Sequence, residues 1–339
     1  MEYLRLAASR QSGDVADTVA ALRGWLEADR ADPLLIETSG STGAAKRVVL
    51  LREAVLASVR ASARRLGESG QWALVLPATY VAGVQVIVRS LVTGHHPVLD
   101  GWGEAGFTSL VPTQLHRMLE VPDDVAALRS MHAVLVGGGP IEPSLRARAE
   151  DAGVGIVATY GSTETAGGCV YDGHPLDGVT LALGEAGRIR IAGPTLFQGY
   201  QGDPDLTAQS LVDGWFLTSD AGRLEEDGRL RVLGRLDDVV ISGGLNVPLS
   251  ALAARLRAHP SISAAEVLGV PDPEWGQRVV AFVVAADPRL ATTSQLRDFV
   301  ADAHPRSWAP RQVVLLDAVP MLANGKVDRV ALRRLAGEP

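Results

Sequence analysis

The sequence predicts an α/β protein of two domains, with a β-rich subdomain inside the first. From residue 34 to about residue 160, short apolar runs alternate with helical patterns, which is typical of parallel strands joined by crossover helices. From about 178 to 235 the helical pattern stops and short strands follow one another. Beyond residue 237 helices and strands mix again, which predicts a separate α+β unit.

The predicted boundaries follow from these changes of pattern. At 339 residues the chain exceeds what one hydrophobic core usually holds. We expect a large N-terminal domain of residues 1–236, with α/β layers to about 177 and a small antiparallel or barrel-like unit over 178–236. Residues 237–339 would form a smaller α+β lid.

The α/β part reads in order as strand LLIET, helix LREAVLASVRASARRL, strand WALVLP, helix VAGVQVIVRSLVTG, strand HAVLVGGG, helix EPSLRARAEDAG and strand GIVATYG. Loops at the carboxyl ends of parallel strands collect ligands, so 38–46, 137–140 and 160–165 are candidate binding loops. The β-rich part contains RIRIAG, WFLTSDAGRL and GRLRVLGR, with Asp227-Gly228 as a hairpin turn. The lid contains the helices PLSALAARLRAH, TTSQLRDFVADAH and DRVALRRLA and the strands AAEVLGV, QRVVAFVVA and QVVLLDAV.

Composition narrows the class of protein. A net charge of −7 without a basic run argues against nucleic acid as a ligand. The single cysteine, Cys169, permits no intramolecular disulfide, and the N-terminus lacks the layout of a signal peptide, so we expect a cytoplasmic protein. Residues 72–88 approach the length of a membrane span, but their polar residues favour a buried strand turning into a helix, and we expect no membrane insertion.

Lysine accounts for only two of the 32 basic residues, Lys46 and Lys326. Both lie in glycine-containing loops, GSTGAAK and ANGK. Chance is one explanation. The other is that these two loops need a compact ammonium group where a planar guanidinium would not serve.

The loop TSGSTGAAK (38–46) has the composition of a phosphate cradle. Its glycines let successive backbone N–H groups point into one concavity, its hydroxyls add donors, and its lysine supplies charge. The Walker pattern GxxxxGK[ST] fails here, which disfavours a conventional P-loop enzyme, and a flexible linker would seldom lie between two apolar strands. The residues expected to surround phosphate oxygens are Thr38, Ser39, Gly40, Ser41, Thr42, Gly43 and Lys46.

This loop resembles the phosphate loop of the adenylate-forming superfamily, which includes acyl-CoA synthetases, luciferases and peptide-synthetase adenylation domains. Five further matches follow in the order of that family: GGGP (137–140) resembles its adenine loop, TYGSTET (159–165) its adenine and magnesium segment, TSDAG (218–222) its ribose aspartate, GRLDDVVISGG (234–244) its hinge and ANGKVDR (323–329) its catalytic-lysine loop. Each match alone is weak, whereas six in order are strong.

The resemblance implies the adenylate-forming fold with a mobile lid, and ATP, Mg²⁺ and coenzyme A as participants. A carboxylate would attack the α-phosphorus of ATP to give acyl-AMP and pyrophosphate, and a thiol would then displace AMP. No side-chain nucleophile is needed, so positioning and electrostatic stabilisation would supply catalysis. No carrier-domain serine motif follows the lid, which favours free coenzyme A as the thiol.

The same resemblance assigns the site residues. Lys46 would hold the β and γ phosphates, Lys326 would reach the α-phosphate from the lid, Thr163 would assist, and Glu164 would hold Mg²⁺. The adenine contacts would come from Gly137, Gly138, Gly139, Tyr160 and Gly161, the ribose contacts from Asp220 and Arg235, and the lid pivot from Asp237. From the residues alone, a core tyrosine, a solvated glutamate, and ordinary turn and ion-pair roles for Asp220 and Arg235 remain open.

The PATYVAG segment and the helix after it indicate which carboxylic acid would be the substrate. The segment lacks the aspartate with which amino-acid-activating relatives bind an ammonium group. Gln85 and Arg89 share one face of an otherwise apolar helix over 81–92. Arg89 is expected either to reach solvent at the helix end or to meet a second carboxylate on the substrate.

The segment GSTETAGGCVYDGHPLDGV resembles the o-succinylbenzoate–CoA ligases of menaquinone biosynthesis, whose substrate is an aromatic dicarboxylate. The resemblance implies that the succinyl carboxylate is activated while the benzoate carboxylate pairs with Arg89. Its glycines would form a roomy pocket floor. The other residues expected near the acid are Tyr80, Gln85, Ser109, Thr113, Gln114 and Gly168.

The sequence departs from the family pattern in three places. Only 37 residues precede the phosphate loop, so much of the first subdomain is expected to be absent, and a homodimer would cover the exposed sheet edge. Tyr80 stands where many relatives carry histidine. Leu245, Pro248 and Ala254 replace the usual acidic and aromatic residues after the hinge.

Two other functions remain open at this stage. One is a ligase of the same kind for a different aryl or acyl acid. The other is a degenerate nucleotide-binding relative without activity, although the presence of Lys46, Glu164 and Lys326 argues against it.

Overall fold

The computed structural model describes residues 2–6, 12–38, 46–285, 292–322 and 327–337, without the side chains of residues 12–14 and 237. Its helices are α1 (Ser12–Glu27), α2 (Arg52–Leu66), α3 (Val81–Val92), α4 (Pro112–Met118), α5 (Pro122–Ser130), α6 (Pro143–Asp151), α7 (Pro204–Ser210), α8 (Leu249–Arg257), α9 (Thr293–Ala301) and α10 (Arg329–Leu335). Its strands are β1 (Leu4–Arg5), β2 (Leu34–Thr38), β3 (Lys46–Leu50), β4 (Trp72–Ala73), β5 (Phe107–Leu110), β6 (Ala133–Val136), β7 (Ile156–Ser162), β8 (Gly167–Tyr171), β9 (His174–Pro175), β10 (Thr180–Leu183), β11 (Arg188–Ala192), β12 (Gly199–Tyr200), β13 (Leu211–Val212), β14 (Trp215–Leu224), β15 (Leu230–Arg235), β16 (Val239–Ser242), β17 (Leu245–Pro248), β18 (Ile262–Asp272), β19 (Gly276–Ala285) and β20 (Gln312–Leu315). Single 3₁₀ turns cover Thr163–Thr165, Glu185–Gly187, Leu236–Asp238 and Arg306–Trp308.

The central sheet has six strands in the order β4-β5-β6-β7-β8-β9. Neighbouring strands from β4 to β7 run parallel, which confirms the predicted parallel strands and crossover helices for this part of the chain. β8 and β9 then return antiparallel. Of the apolar run WALVLP only Trp72 and Ala73 join the sheet, and Pro77, which lacks an N–H for a ladder, lies in the connection to α3.

The strands that flank the candidate phosphate loop belong to a different sheet, of order β1-β2-β3-β12. β2 and β3 are antiparallel, with Thr38 opposite Lys46. The prediction that LLIET belongs to the same set of parallel strands as β4 to β7 is therefore wrong, and its parallel neighbour is β1. A connection of seven residues is too short for a crossover between parallel strands, which takes about a dozen, and β2 and β3 accordingly pair antiparallel.

The β-rich region forms an open antiparallel sheet of five strands, β10-β11-β14-β13 with β15 on β14. The predicted turn at Asp227-Gly228 is confirmed: Gly228 adopts φ of 81°, and its N–H donates to the Glu225 carbonyl at 2.9 Å. The prediction that helices are absent from this region is wrong, because α7 lies within it. Asp203 caps α7 by accepting from the Leu206 N–H at 2.9 Å, and Pro204 begins the helix.

The C-terminal sheet has the order β17-β16-β19-β18, with β20 parallel to β19. β19 is buried on both faces, which explains its continuous apolar run. Val279, Ala281 and Val283 pack in the core of α8 and α9, whereas Val280 and Phe282 pack with α10. The predicted α+β composition of this region is therefore confirmed. None of the helices in the described ranges is long and apolar enough to cross a membrane.

Candidate functional site

The turn that carries Thr163 and Glu164 follows directly from β7. It is held by Thr165, whose buried hydroxyl lies 2.7 Å from the Gly167 carbonyl oxygen and accepts from the Ser162 N–H at 2.8 Å. Thr163 and Glu164 are consequently fixed, half-buried, at the carboxyl end of a central strand. Sequence reasoning gave Thr165 no role of its own, although its hydroxyl shapes the turn.

Two of the predicted adenine-site glycines are required by close packing. A Cβ on Gly137 would lie 2.3 Å from Thr159 Oγ1, and one on Gly161 would lie 2.2 Å from the Gly167 carbonyl oxygen. Gly138 has φ of 81°, a conformation that favours glycine, and both it and Gly139 are exposed. The GGG loop thus passes beside β7 with its backbone open to solvent.

Tyr160, Asp220 and Arg235 meet, as expected for residues of one site. The Tyr160 hydroxyl donates to Asp220 Oδ2 at 2.7 Å. Asp220 stands opposite Arg235 in the β14–β15 ladder, and Arg235 Nη1 lies 4.0 Å from Asp220 Oδ1. Burial raises the pKa of Tyr160 above its usual range, and the negative charge of Asp220 raises it further, so the hydroxyl stays protonated.

Lys46 and Glu164 are connected through Tyr200, which sequence reasoning missed. Lys46 Nζ lies 5.4 Å from the centroid of the Tyr200 ring, and the Tyr200 hydroxyl donates to Glu164 Oε1 at 2.9 Å. Thr38 and Lys46 close the hairpin, and Thr38 Oγ1 lies 3.4 Å from the Lys46 carbonyl oxygen. The loop residues Ser39, Gly40, Ser41, Thr42 and Gly43 lie outside the described residues.

Arg89 is buried, with 6% of its surface exposed, so the alternative that it reaches solvent is wrong. Its Nη2 donates to the Tyr171 hydroxyl at 3.2 Å, and its guanidinium lies 4.8 Å from the centre of the Trp72 ring. Its Nε has no hydrogen-bond partner, and no carboxylate among the described residues forms an ion pair with it. The chain therefore buries a guanidinium whose charge is not neutralised by any described residue.

Gln85 lies one turn earlier on the same helix face, as predicted. Its Nε2 donates to the Ala166 carbonyl at 2.6 Å, while its buried Oε1 has no partner. A Cβ on Gly168 would lie 3.1 Å from Thr159 Cβ and 3.3 Å from Tyr171 Cε1, so a larger residue there would crowd its neighbours. That the glycines of this segment form a roomy pocket floor stays a prediction.

The remaining predicted acid-site residues lie on or next to three different elements. Tyr80 precedes α3 and Thr113 lies in the first turn of α4, both half-buried, whereas Ser109 is buried in β5. Gln114 is engaged in the fold, because its Oε1 accepts from the Val111 N–H at 3.0 Å and its Nε2 donates to the Val75 carbonyl at 2.7 Å. Gln114 therefore caps α4.

On the lid, Lys326 and the side chain of Asp237 lie outside the described residues, but their neighbours are firmly joined. Arg329 donates to both oxygens of Asp238, at 2.6 and 3.0 Å. This bond raises the pKa of Arg329. The segment after the predicted lysine loop is thus tied directly to the predicted hinge.

Cys169, the first residue of CVYDG (169–173), is fully buried. Burial raises the pKa of its thiol to about 12. The side chain packs as a small apolar group in the main core.

Comparison with known proteins gives the same family as the sequence motifs. Residues 26–201 match the family model described as AMP-binding enzyme, and residues 252–326 match that of the AMP-binding enzyme C-terminal domain. A probable 2-succinylbenzoate–CoA ligase of Mycobacterium tuberculosis is 41% identical over 344 residues, covering 94% of this chain and 89% of that protein. The 2-succinylbenzoate–CoA ligase of Geobacillus kaustophilus is 32% identical, covering 89% of this chain and 69% of its own length.

Solved structures of the same enzyme family match the fold of this chain. The o-succinylbenzoate CoA synthetase of Bacillus subtilis in complex with the acyl-adenylate OSB-AMP superposes with a TM-score of 0.76 at 26% identity, covering 88% of this chain and 68% of that one. The same enzyme with ATP and a magnesium ion also gives a TM-score of 0.76 at 26% identity, covering 88% and 69%. By its matched domains, its relatives and its fold, the chain belongs to the AMP-binding, adenylate-forming enzyme family.

Proposed function

We propose that the protein is an ATP-dependent acid–thiol ligase that activates o-succinylbenzoate and transfers it to coenzyme A. In the first half-reaction a carboxylate oxygen of the acid attacks the α-phosphorus of ATP, forming acyl-AMP and releasing pyrophosphate. In the second, the coenzyme A thiol attacks the acyl carbon and AMP leaves. The products are o-succinylbenzoyl-CoA, AMP and pyrophosphate.

The observation that carries the choice of acid is Arg89. A buried guanidinium without a carboxylate partner is costly, and a second carboxylate on the substrate would neutralise it. The 41% identical relative is named for the same dicarboxylate acid. Together they favour o-succinylbenzoate over an aryl or acyl monocarboxylate.

Two of the residues that would hold the nucleotide, Tyr160 and Asp220, already meet in the fold. Tyr160 and Asp220 would contact adenosine, Lys46 the outer phosphates, and Lys326 the α-phosphate from the lid. We further propose that residues 1–236 bind the adenylate and that residues 237–339 move about Asp237 between the two half-reactions.

Glu164 fits a magnesium ion. Its carboxylate is half-buried, one oxygen is oriented by Tyr200, and Oε2 makes no hydrogen bond to a described residue. Carboxylate and phosphate oxygens are the ligands that Mg²⁺ prefers. When bound, the ion would neutralise charge on the phosphate oxygens.

Pyrophosphate release with a panel of acids tests the proposal. We expect o-succinylbenzoate to be strongly preferred over benzoate and over simple succinyl monoesters. Equal activity on benzoate would remove the case for a second carboxylate and favour an aryl acid ligase. ATP binding without pyrophosphate release on any acid would instead favour a degenerate nucleotide-binding protein.

Arg89→Ala separates the acids further. Loss of a desolvated charge pair should raise the activation free energy with the dicarboxylate by about 3 kcal/mol, roughly two orders of magnitude in kcat/KM. The value of kcat/KM measured with a monocarboxylate should fall far less. Arg190→Ala is a matched control. The Arg190 guanidinium also lies over a tryptophan ring, 5.1 Å from the centroid of Trp215, but Arg190 belongs to β11 and not to α3.

We also infer a cytoplasmic homodimer. The buried, unpaired Cys169 supports a reducing compartment, and the position of β1 at the edge of its sheet supports pairing between subunits there. Sedimentation velocity measures the association state, and a monomer at micromolar concentration would remove the dimer.

A further inference from the structure

Tyr200 links two residues of the phosphate site, although it is not itself part of any motif that defines the site. Lys46 Nζ lies over its ring, and its hydroxyl donates to Glu164. We propose that Tyr200 is a positioning residue: its hydroxyl orients the Glu164 carboxylate for Mg²⁺, and its ring holds the Lys46 ammonium beside the same phosphates. The inference rests on the proposed function only in requiring that the protein bind Mg·ATP.

The contact with Lys46 is a consequence of strand register. β12 pairs antiparallel with β3, and Tyr200 stands opposite Val48. Side chains two residues apart on a strand share one face, so Lys46 lies on the same face as Val48. It is then the diagonal neighbour of Tyr200, within the reach of an aromatic side chain.

Tyr200 itself is held in place from several sides. It is 7% exposed, its N–H donates to Thr207 Oγ1 at 2.8 Å, and its ring meets the edge of Phe197 with centroids 4.9 Å apart. The Phe197 N–H in turn donates to the Glu164 carbonyl at 2.9 Å. One short segment thus fixes both the tyrosine and the turn that carries Glu164.

The Tyr200 hydroxyl is the donor of this hydrogen bond, because an ionised carboxylate can only accept. Its O–H is directed at Glu164 Oε1, which leaves Oε2 for a metal ion. A hydrogen bond to a ligating carboxylate fixes its orientation, and loss of such a bond typically costs about ten- to a hundredfold in metal affinity.

The experiment is calorimetric titration of ATP over a series of Mg²⁺ concentrations, without any acid. Tyr200→Phe keeps the ring and removes only the hydroxyl. We expect the Mg²⁺ concentration for half-maximal ATP binding to rise about tenfold, while ATP affinity at saturating Mg²⁺ changes by less than about twofold. Tyr200→Leu also removes the ring, and should additionally weaken ATP binding at saturating Mg²⁺ by about threefold.

Tyr160→Phe is the matched control, since it also removes a hydroxyl that donates to a carboxylate, that of Asp220. It should weaken ATP binding at every Mg²⁺ concentration and leave the Mg²⁺ midpoint in place. In a Glu164→Ala background, Tyr200→Phe should shift the midpoint no further, because its partner is already gone.

Two results would overturn the inference: an unchanged Mg²⁺ midpoint in Tyr200→Phe, or a shift that persists without the Glu164 carboxylate. The second result would also identify a variant that is merely misfolded, since such damage does not depend on Glu164. Because no acid is present, normal Mg·ATP behaviour with no turnover of o-succinylbenzoate would overturn the proposed substrate alone. Failure of the unaltered protein to bind Mg·ATP would overturn both.

Discussion

The pair between Asp238 and Arg329 should dominate the stability of the C-terminal unit around α10. The Asp238 side chain is 10% exposed and that of Arg329 is 30% exposed, and two short hydrogen bonds join them. Removing one partner of a buried pair costs about 3–5 kcal/mol because it leaves the other charge uncompensated. Since Arg329 keeps partial contact with water, we expect Arg329→Ala to cost about 3 kcal/mol, at the lower end of that range.

The assay is urea denaturation of the whole chain, with hydrogen exchange to locate the loss of protection in α10 and in the 3₁₀ turn Leu236–Asp238. Asp238→Ala should cost a similar amount. The double variant should cost less than the sum of the two, with a coupling of about 2 kcal/mol, because each single change already breaks the same pair.

Arg306→Ala is the matched control. Arg306 pairs with Asp298 at 3.0 Å, but the two side chains are 71% and 57% exposed. Exposed pairs contribute less than about 1 kcal/mol. Equal costs for Arg306→Ala and Arg329→Ala, or additive effects of the two changes at the Asp238–Arg329 pair, would refute this reasoning.

Three further expectations concern the folded chain. The Cys169 thiol, with its pKa raised to about 12 and no exposed surface, should resist a thiol reagent at mildly alkaline pH and react stoichiometrically once urea unfolds the protein. Burial raises the pKa of Glu266 above 4.5, so its neutral form stabilises the fold below that pH, and this contribution is lost as pH rises through the raised pKa. The melting temperature of Glu266→Gln should therefore rise relative to that of the unaltered protein between about pH 4.5 and neutrality. A difference in melting temperature that stays constant over this pH range would contradict the expectation. Gly161→Ala should destabilise the protein by about 1–3 kcal/mol, because its Cβ would meet the Gly167 carbonyl. Gly24→Ala in α1 has open space around it, and should stabilise the protein by about 0.5–1 kcal/mol in the same melting assay.

Local patterns were sufficient for most of the helices and long strands. Helical periodicity predicted α2 and α3 almost to the residue, and the turn signal Asp227-Gly228 predicted the β14–β15 hairpin. The same reasoning overlooked α1, α4 and the four-residue strand β5, whose sequences carry weak periodicity. It also assigned β2 to the wrong sheet, since strand pairing is decided by distant neighbours.

The same distinction applies to the candidate site, where local motifs predicted some residues and long-range contacts determine the others. Motif resemblance predicted that Tyr160, Asp220 and Arg235 belong to one site, and the fold brings them close together. It could not find Tyr171 and Trp72, which surround Arg89, because they lie about eighty residues after it and seventeen before it, on other elements. Helical spacing placed Gln85 and Arg89 on one face but could not say whether that face meets solvent or core.

Tyr200 shows why such residues escape sequence reasoning. In the primary structure it is one tyrosine in GYQGD, far from Lys46 and separated from Glu164 by the four strands β8 to β11. Its position depends on two long-range pairings: β12 with β3, and the Phe197 N–H with the Glu164 carbonyl. Each pairing uses backbone groups alone, so neither leaves a mark on residue type. Backbone pairing can therefore bring a side chain into contact with two predicted site residues although that side chain belongs to no motif. Short strands such as β12, which pair with a strand beside a predicted loop, are where further residues of this kind are expected.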